Sequence, residues 1–265
     1  MTTHADGRAG RWGRLLELLA DGGRLTVDDA ARRLGVSVAT VRRDFTALAD
    51  QQLATRTHGG IIATSVAYNL PARYRHLDNA DSKRRVAEHT ADLVAHTAVV
   101  GINGGTTTTE VARALAARPA PTTGSDNRPT IVTNALNIAS ELVLRPHLRT
   151  ICLGGVAREE SYELHGPFAE RVLADLRMDD LVLGVYAITA EGGAQCRHLG
   201  EAGITAAMVQ RSQRVIVAAT AEKLTRQALA RICPADNVDI LVTDTDAEPD
   251  AIAALRAAGV RVDLV

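Results

Sequence analysis

After residue 82 the chain alternates short apolar runs with amphipathic stretches of helical spacing, a pattern that few folds accommodate. Seven apolar runs have the length of buried strands: 98–102, 130–133, 150–153, 180–186, 215–219, 240–243 and 260–265. Six helical stretches lie before or between them: 82–96, 108–117, 135–144, 166–176, 201–212 and 249–258. Strands and helices that alternate in this way predict an α/β domain with a doubly wound, mostly parallel sheet.

Charge is divided unevenly along the 265-residue chain, whose formal net charge is only −1. Residues 1–85 carry 14 basic and 9 acidic side chains, whereas residues 86–265 carry 16 basic and 22 acidic ones. A segment of net charge +5 therefore precedes a body of net charge −6. Such asymmetry indicates a nucleic-acid or membrane partner for the basic segment. No stretch supplies the ~20 apolar residues of a bilayer span, so we expect no membrane partner.

The cysteines and the N-terminus indicate the compartment. Cys152, Cys196 and Cys233 are odd in number, far apart and without metal-ligand spacing, so neither a disulfide framework nor a zinc site is expected. The polar N-terminus lacks the apolar core of a signal peptide. The sequence therefore favours a cytoplasmic protein that holds no metal.

Residues 11–62 have the order of elements found in a winged helix-turn-helix. The sequence predicts a helix at 11–20, a second helix after the N-cap Thr26, a turn at 35–37, a third helix at 38–51 and a hairpin with strands 53–57 and 61–62. With Val41 and Phe45 directed inward, Arg42 and Arg43 face outward, where arginine can bond guanine bidentately. On the hairpin, Arg56 and the neighbouring histidine are candidates for contact with phosphate or the minor groove.

Two motifs in this segment are informative as continuous runs. They are Ser37-Val38-Ala39-Thr40-Val41-Arg42-Arg43-Asp44 and Arg56-Thr57-His58-Gly59-Gly60. Both closely resemble, in sequence and in spacing, the DNA-binding module of the DeoR-type transcription regulators. The resemblance implies a winged helix-turn-helix whose DNA contacts are Ser37, Thr40, Arg42, Arg43 and His58. Asp44 is expected to orient the arginines, because a carboxylate that faced phosphate would be repelled.

The loop after the first strand of the predicted α/β domain is rich in glycine and threonine. It reads Asn103-Gly104-Gly105-Thr106-Thr107 and opens a helix. Glycines allow close backbone approach, the helix N-terminus offers N–H donors, and threonine adds hydroxyls, so this loop is a candidate phosphate site. It is neither a Walker loop nor a dinucleotide fingerprint. The alternative is an ordinary strand-to-helix turn that binds nothing.

Further motifs are spread over about residues 78–262. They include Lys83, Gly105-Thr106-Thr107, Thr133-Asn134, Gly154-Gly155, Gly166, Gly184, Glu201-Ala202 and Lys223. On these residues the body resembles the DeoR-type sensor domain, a relative of ribose-phosphate isomerases that binds phosphorylated sugars or similar metabolites.

The resemblance implies a ligand site made of Gly105, Thr106, Thr107, Asn134, Gly154, Gly155, Glu201 and Lys223, to which the loop adds Asn103 and Gly104. Phosphate would meet the Gly-Thr-Thr loop. Glu201 and Lys223 would meet sugar hydroxyls or a second anionic group. Alternatively, Glu201 and Lys223 form a surface ion pair without a ligand.

The body departs from the family pattern at three positions. Asn103, Thr205 and Thr220 stand where the family has aspartate, lysine and aspartate, so neutral groups replace two carboxylates and one ammonium. The loss of acid and base groups argues against isomerase chemistry, which needs positioned proton-transfer groups. The altered set of polar groups also points to an unusual effector.

The sequence thus predicts a winged helix-turn-helix DNA-binding domain at 1–62, a linker at 63–80 and an α/β effector-sensing domain at 81–265. We expect a transcription repressor that binds double-stranded operator DNA as a homo-oligomer, dimer or tetramer, and responds to a small phosphorylated metabolite. Neither a cofactor nor a catalytic residue is expected. Two alternatives stay open: a sugar-phosphate isomerase-like enzyme with an appended DNA-binding module, and a constitutive DNA-binding protein whose body serves only assembly.

Overall fold

The computed structural model describes residues 8–22, 24–50, 54–63, 80–118 and 128–265. The chain divides into two compact units, Met1–Asn69 and Leu70–Val265. Each unit has its own buried hydrophobic core. Nearly all of the predicted linker lies outside the described residues.

The N-terminal unit combines three helices with a small sheet. Its elements are α1 (Arg8–Gly22), β1 (Arg24–Thr26), α2 (Val27–Leu34), α3 (Val38–Asp50), β2 (Ala54–Thr57) and β3 (Gly60–Ala63). Thr26 caps α2, because its Oγ1 accepts the Asp29 N–H at 3.2 Å. Gly35 ends α2 with a φ of +65° and so makes the turn into α3. The sequence did not predict β1, which pairs with β3 and completes a three-stranded antiparallel sheet.

The core of the N-terminal unit joins the helices to this sheet. Leu15 of α1, Val41, Phe45 and Leu48 of α3, and Ile61 of β3 are fully buried. Val41 and Phe45 therefore face inward as predicted, which leaves the opposite face of α3 exposed. Helix, turn, helix and hairpin in this order form a winged helix-turn-helix, which confirms that prediction.

The C-terminal unit is built on a seven-stranded sheet whose paired strands are all parallel. The strands are β4 (Val99–Ile102), β5 (Thr130–Thr133), β6 (Arg149–Cys152), β9 (Met178–Leu183), β12 (Ser212–Ala218), β14 (Ile240–Thr243) and β15 (Arg261–Leu264). The helices are α4 (Ala80–Leu93), α5 (Thr106–Ala116), α6 (Leu136–Leu142), α7 (Pro167–Ala174), α8 (Leu199–Gln210) and α9 (Pro249–Ala257). Every strand and helix predicted for this unit is present, with ends that differ by up to three residues.

The strand order across this sheet is β15-β14-β12-β9-β4-β5-β6. The chain builds outward in one direction from β4 and in the other from β9, so the order reverses between these two strands. In parallel α/β sheets, ligands bind at the carboxyl ends of the strands beside such a reversal. Asn103 and Gly184 meet there: Asn103 Nδ2 donates to Gly184 O at 3.0 Å, and Gly184 N–H donates to Asn103 Oδ1 at 2.7 Å.

Two smaller antiparallel sheets were not predicted. One pairs β7 (Val156–Ala157) with β8 (Leu164–His165), and the other joins β10 (Ala187–Thr189), β11 (Gly193–Cys196) and β13 (Ala230–Cys233). Each strand has only two to four residues, too few for a recognisable hydrophobic alternation. Both sheets belong to the C-terminal unit and contribute to its cavity.

Helices cover both faces of the seven-stranded sheet. Leu181 and Leu183 of β9 belong to one buried hydrophobic cluster, and Val182 between them belongs to another. On β12, Val217 and Ile216 are divided between the same two clusters. Successive side chains of a strand point to opposite faces, so two buried clusters require two covered faces. This arrangement confirms the doubly wound α/β prediction.

No helix within the described ranges has both the length and the apolar composition that a membrane span needs. The same ranges hold no group of three or more histidine, cysteine, aspartate or glutamate side chains placed to bind a metal ion. Cys152, Cys196 and Cys233 are free thiols.

Candidate DNA-binding surface and effector cavity

The exposed face of α3 carries most of the side chains that the sequence assigned to DNA. Arg42 and Arg43 are exposed on this helix. Ser37 and Thr40 stand at its start, where Ser37 Oγ accepts the Thr40 N–H at 3.1 Å and the two hydroxyl oxygens are 2.8 Å apart. Ser37 therefore caps α3 in addition to any contact with DNA.

The hairpin holds the two other candidate DNA contacts. Arg56 of β2 is exposed, and its guanidinium donates to Thr46 Oγ1 of α3. The Thr46 hydroxyl in turn donates to the Arg42 carbonyl at 2.9 Å. His58 is exposed in the turn between β2 and β3. These hydrogen bonds fix Arg56 relative to the helix that carries Arg42.

Asp44 does not have the partner that the sequence suggested. Its carboxylate is buried and accepts hydrogen bonds from Arg11 Nε at 2.6 Å, Arg11 Nη2 at 3.1 Å and Trp12 Nε1 at 3.0 Å. The pKa of Arg11 rises chiefly because of this bond. Asp44 therefore anchors α1 to α3, which corrects the expectation that it orients the arginines beside it. The correction has a simple cause, because Asp44 lies on the inner face of α3.

In the C-terminal unit, a cavity of about 220 Å³ opens where β4 and β9 end. Seven of the ten predicted ligand residues line it: Asn103, Gly104, Gly105, Thr106, Thr107, Glu201 and Lys223. Polar lining residues that the sequence did not single out are Asn137, Arg158, Ser161, Glu163, Tyr186 and Arg197. The structure therefore brings together the β4–α5 loop, the start of α8 and the segment after β12.

The neutral Asn103 has a structural explanation. Its amide group is 3% exposed and makes two hydrogen bonds to Gly184, donating one and accepting the other. An ionised carboxylate accepts only, so an aspartate here would leave the Gly184 carbonyl facing a negative oxygen. The asparagine thus joins the two loops across the reversal of strand order.

The glycine-threonine loop brings the N-terminus of α5 to the cavity. Gly105 precedes α5 with a φ of +146°, and no side chain caps the helix there. The hydroxyls of Thr108 and Thr109 donate to the Gly105 carbonyl at 3.1 and 2.7 Å, so they are used within the loop. Thr106 and Thr107 line the cavity. The N–H groups of the first helical turn, together with these two hydroxyls, suit an anion.

A buried carboxylate stands beside this loop. Glu163 is 7% exposed, and a Cβ on Gly104 would lie 2.4 Å from its Cγ, so a side chain at that position would displace Glu163. Burial, and then the charge of Glu201, raise the pKa of Glu163 to about 7, although Asn134 and Arg158 act in the opposite direction. Near neutral pH this group can both donate and accept hydrogen bonds.

The carboxylate of Glu201 pairs with Arg158 and Ser161 and not with Lys223. Its Oε1 accepts from Arg158 Nη1 at 3.0 Å and from Ser161 Oγ at 2.5 Å. Lys223 Nζ instead lies 3.4 Å from Glu222 Oε1. The ion pair between Glu201 and Lys223, which the sequence left open, therefore does not form, and both side chains border the cavity.

Positive charge collects around Tyr186, which follows β9. Arg197 Cζ lies 3.9 Å from the centre of its ring, Lys223 Nζ 5.3 Å and Arg226 Cζ 5.5 Å. Burial, and then the charges of Arg226 and Lys83, lower the pKa of Lys223 against the opposing effect of Glu222. Tyr186, Arg197 and Lys223 are all part of the cavity lining.

Three predicted ligand residues lie outside the lining. Asn134 is buried, and its amide donates to Glu163 Oε2 at 2.9 Å and to the Leu164 carbonyl at 3.3 Å, so it supports the wall. Gly155 has a φ of +130°, and a Cβ there would lie 2.6 Å from the His165 carbonyl oxygen. Gly154 is exposed, with open space where its Cβ would stand.

Some of the lining residues that the sequence analysis missed could have been found from a sequence pattern, and others could not. Tyr186 comes three residues after the end of β9, so the rule that ligands meet the carboxyl ends of strands could have found it. Arg158 and Glu163 belong to the turn of the β7–β8 pair. Their place in the cavity depends on how that pair packs beside Gly104, and no local sequence pattern predicts this packing.

Two family descriptions match this chain. The DeoR C terminal sensor domain matches residues 78–245, and the DeoR-like helix-turn-helix domain matches residues 11–66. The first alone spans more than half of the chain.

Full-length relatives give the same family. The HTH-type transcriptional repressor CsqR of Escherichia coli K12 is 32% identical over 234 residues, which cover 88% of this chain and 87% of that protein. The HTH-type transcriptional regulator GlpR of Haloferax volcanii is 31% identical over 250 residues, 94% of each chain. The glycerol-3-phosphate regulon repressor of E. coli K12 is 28% identical over 230 residues, 87% of this chain and 88% of that one.

All three relatives are named as regulators or repressors, and none as an isomerase. These names favour a DNA-binding regulator over the isomerase-like enzyme that the sequence left as an alternative. Together with the winged helix-turn-helix and the parallel α/β unit, the matches show that the chain belongs to the DeoR family of transcription regulators.

Proposed function

We propose that this protein is a repressor whose affinity for double-stranded operator DNA is set by a small phosphorylated metabolite bound in the C-terminal cavity. The observation that carries the proposal is that α5 begins at this cavity without a side-chain cap. A helix N-terminus of this kind offers unpaired N–H groups and a partial positive charge to an anion.

The lining supplies the other groups that a phosphorylated sugar requires. Asn137 is 2% exposed, its Nδ2 donates to Thr109 Oγ1 at 2.9 Å, and its Oδ1 is buried without a hydrogen-bond partner. A buried acceptor without a partner costs free energy, so a ligand hydroxyl that donates to it is favoured. Glu163 and Glu201 provide further acceptors for hydroxyl groups on the same cavity wall.

The relatives support the chemical class of the effector. One of them is named for the regulon of glycerol 3-phosphate, and this compound is a phosphorylated polyol. This chain's cavity, which is lined by a helix N-terminus and by two carboxylates, matches a molecule that has both a phosphate and hydroxyl groups. Asn103 and Thr205 line this cavity and are neutral where the family has charged groups, so the effector differs in detail.

DNA would be read by α3 and contacted by the wing. Arg42 and Arg43 supply the charge and the bidentate donors for base edges or phosphates, and Arg56 and His58 supply charge and donors on the hairpin. A homo-oligomer, a dimer or a tetramer, would place two such helices in successive major grooves. The effector then acts by shifting the balance between arrangements that differ in their affinity for DNA.

The test is a DNA-binding titration on the region upstream of the protein's own gene, with and without a panel of sugar phosphates and their unphosphorylated parents. We expect at least one phosphorylated compound to change the affinity about 5–150-fold, the usual range of allosteric coupling, and its parent to have no effect. The variant Thr107→Val, which removes a lining hydroxyl, should weaken this response. Thr245→Val, the same change at an exposed position outside the lining, should keep it. If no phosphorylated compound alters DNA binding, the proposal fails, and the alternative of a body that serves only assembly is favoured.

A further inference from the structure

We propose that the effector cavity has a second anion subsite, formed by Arg197 and Lys223 around Tyr186 with Arg226 beside the same ring, so that the effector carries two anionic groups. The compounds that fit are sugar bisphosphates and phosphorylated sugar acids. The inference rests on the proposed function, because it concerns the ligand of the same cavity.

The first support is the geometry around one aromatic ring. Arg197 stacks on Tyr186 at 3.9 Å, and its guanidinium also donates to the tyrosine hydroxyl. Lys223 and Arg226 approach the same ring at 5.3 and 5.5 Å. A ring quadrupole attracts cations within about 6 Å, but it does not neutralise them. Three like charges are thus held close together, of which Arg197 and Lys223 line the cavity and Arg226 lies outside the lining.

The second support is the charge balance. Glu222 is the carboxylate that faces this group, and it is shared: its Oε1 lies 3.4 Å from Lys223 Nζ and its Oε2 accepts from Arg226 Nη2 at 2.8 Å. One carboxylate therefore faces an excess of cations, and an incoming anion would relieve their mutual repulsion.

The third support is the position of these residues within the cavity. The glycine-threonine loop lies on the β4–α5 connection, whereas Tyr186, Arg197 and Lys223 follow β9, β11 and β12. The carboxylate of Glu163 stands directly beside Gly104 of that loop, and Glu201 is already paired with Arg158. Arg197 and Lys223 are therefore the part of the lining with the largest excess of positive charge, and they belong to chain segments other than the α5 N-terminus.

The experiment measures ligand affinity calorimetrically on the full-length protein with matched compounds. Glucose 6-phosphate is compared with glucose 1,6-bisphosphate and with 6-phosphogluconate, and the same comparison is made for ribose, fructose and glycerol derivatives. Inorganic phosphate and pyrophosphate serve as minimal probes. We expect at least one two-anion compound to bind at least tenfold more tightly than its monophosphate. If the bisphosphate is preferred, the second group is a phosphate; if the acid is preferred, it is a carboxylate.

Two variants connect this preference to the proposed residues. In Arg197→Gln and in Arg226→Gln, the preference for the two-anion compound over its monophosphate should fall at least fivefold. Arg231→Gln, an exposed arginine of β13 outside the lining, should keep the preference. Because the variants remove like charge from a crowded group, thermal unfolding should show that they fold.

The outcomes separate this inference from the proposed function. If monophosphates bind as tightly as their two-anion counterparts, or if the preference survives in both variants, the second subsite is refuted while the proposed function stands. If no phosphorylated compound of either kind binds, the proposed function fails, and the second subsite fails with it.

Discussion

Asn134 donates its side-chain amide to Glu163 at 2.9 Å, and both groups are buried beside the effector cavity. The amide is neutral, so it offsets little of the cost of a buried charge. Burial and the charge of Glu201 consequently raise the pKa of Glu163 from 4.5 to about 7. The C-terminal unit therefore keeps a carboxyl group protonated at a pH at which the unfolded chain has released the proton.

Replacing Glu163 by glutamine should stabilise the C-terminal unit above pH 7. Between pH 4.5 and 7 the folded state holds a proton that the unfolded state loses, so this residue's contribution to stability falls as pH rises. The shift corresponds to at most about 3 kcal/mol, reached above pH 7. Glu163→Gln removes this dependence, because an amide does not titrate.

The measurement is calorimetric unfolding of wild type and variant from pH 4 to 8.5. The variant should gain stability relative to wild type as pH rises, and the difference should be smallest near pH 4. Glu159→Gln, an exposed change in the same segment, should leave the wild-type profile in place. A constant difference at every pH would show that Glu163 does not titrate as stated.

Gly155→Ala should destabilise the protein, whereas Gly154→Ala should not. At Gly155 a Cβ would meet the His165 carbonyl oxygen at 2.6 Å, and the φ of +130° is unfavourable for alanine. The clash is with backbone, which cannot move aside as a side chain can. We expect a loss of more than about 2 kcal/mol, in the range of strained backbone sites. At Gly154 the space is open, so a change within about 0.5 kcal/mol is expected.

Chemical denaturation of the two alanine variants measures this difference. Both glycines were predicted from the sequence as ligand residues, yet neither lines the cavity. If Gly154→Ala abolished the effector response without loss of stability, the site would extend beyond the present lining. Equal stability of the two variants would contradict the packing argument for Gly155.

The fold of the body was largely readable from the sequence because its strands are buried on both faces. Runs such as Val99–Ile102 are short, apolar and flanked by helical stretches, and they agree with the structure. The strands that the sequence did not predict have no such apolar run; for example, Gly193–Cys196 has the sequence Gly-Ala-Gln-Cys. Arg24–Thr26 becomes a strand only through its pairing with Gly60–Ala63, which is a tertiary effect.

The sequence predicted the site only where its residues are consecutive in the chain. The loop from Asn103 to Thr107 could be found because a glycine-rich strand-to-helix turn is a local pattern. Arg158 and Glu163 could not, since their role depends on burial and on neighbours distant in sequence. Asp44 shows the same limit: its position beside two arginines suggested a partner on its own helix, whereas burial selected Arg11.

Asp44→Asn should destabilise the N-terminal unit by about 3 kcal/mol. The change leaves the Arg11 guanidinium without its charged partner, and removing one member of a buried ion pair costs about 3–5 kcal/mol. The lower value applies because Arg11 keeps 20% of its side chain exposed. Asp29→Asn disrupts an exposed pair with Arg33 and should cost less than about 1 kcal/mol.

Trp12 makes this measurement specific to the N-terminal unit. It is the single tryptophan of the chain and donates to Asp44, so its fluorescence during urea unfolding follows this unit. The Asp44→Asn transition should shift to lower urea, with the Asp29→Asn transition close to wild type. A wild-type midpoint for Asp44→Asn would show that the anchor between α1 and α3 contributes little.

Arg42→Ala and Arg56→Ala should weaken DNA binding in different ways. Arg42 lies on the exposed face of α3, so if it reads a base its loss should cost about 1–3 kcal/mol on the operator and little on unrelated DNA. Arg56 lies on the wing, where it donates to Thr46, and the sequence makes it a candidate for phosphate contact. Its loss should weaken binding to both DNAs alike and lower the salt slope of log K by about 1.

Titrations of both variants at several salt concentrations distinguish the two roles. Uniform weakening by Arg42→Ala would assign that arginine to the phosphate backbone and leave base readout to its neighbours on α3.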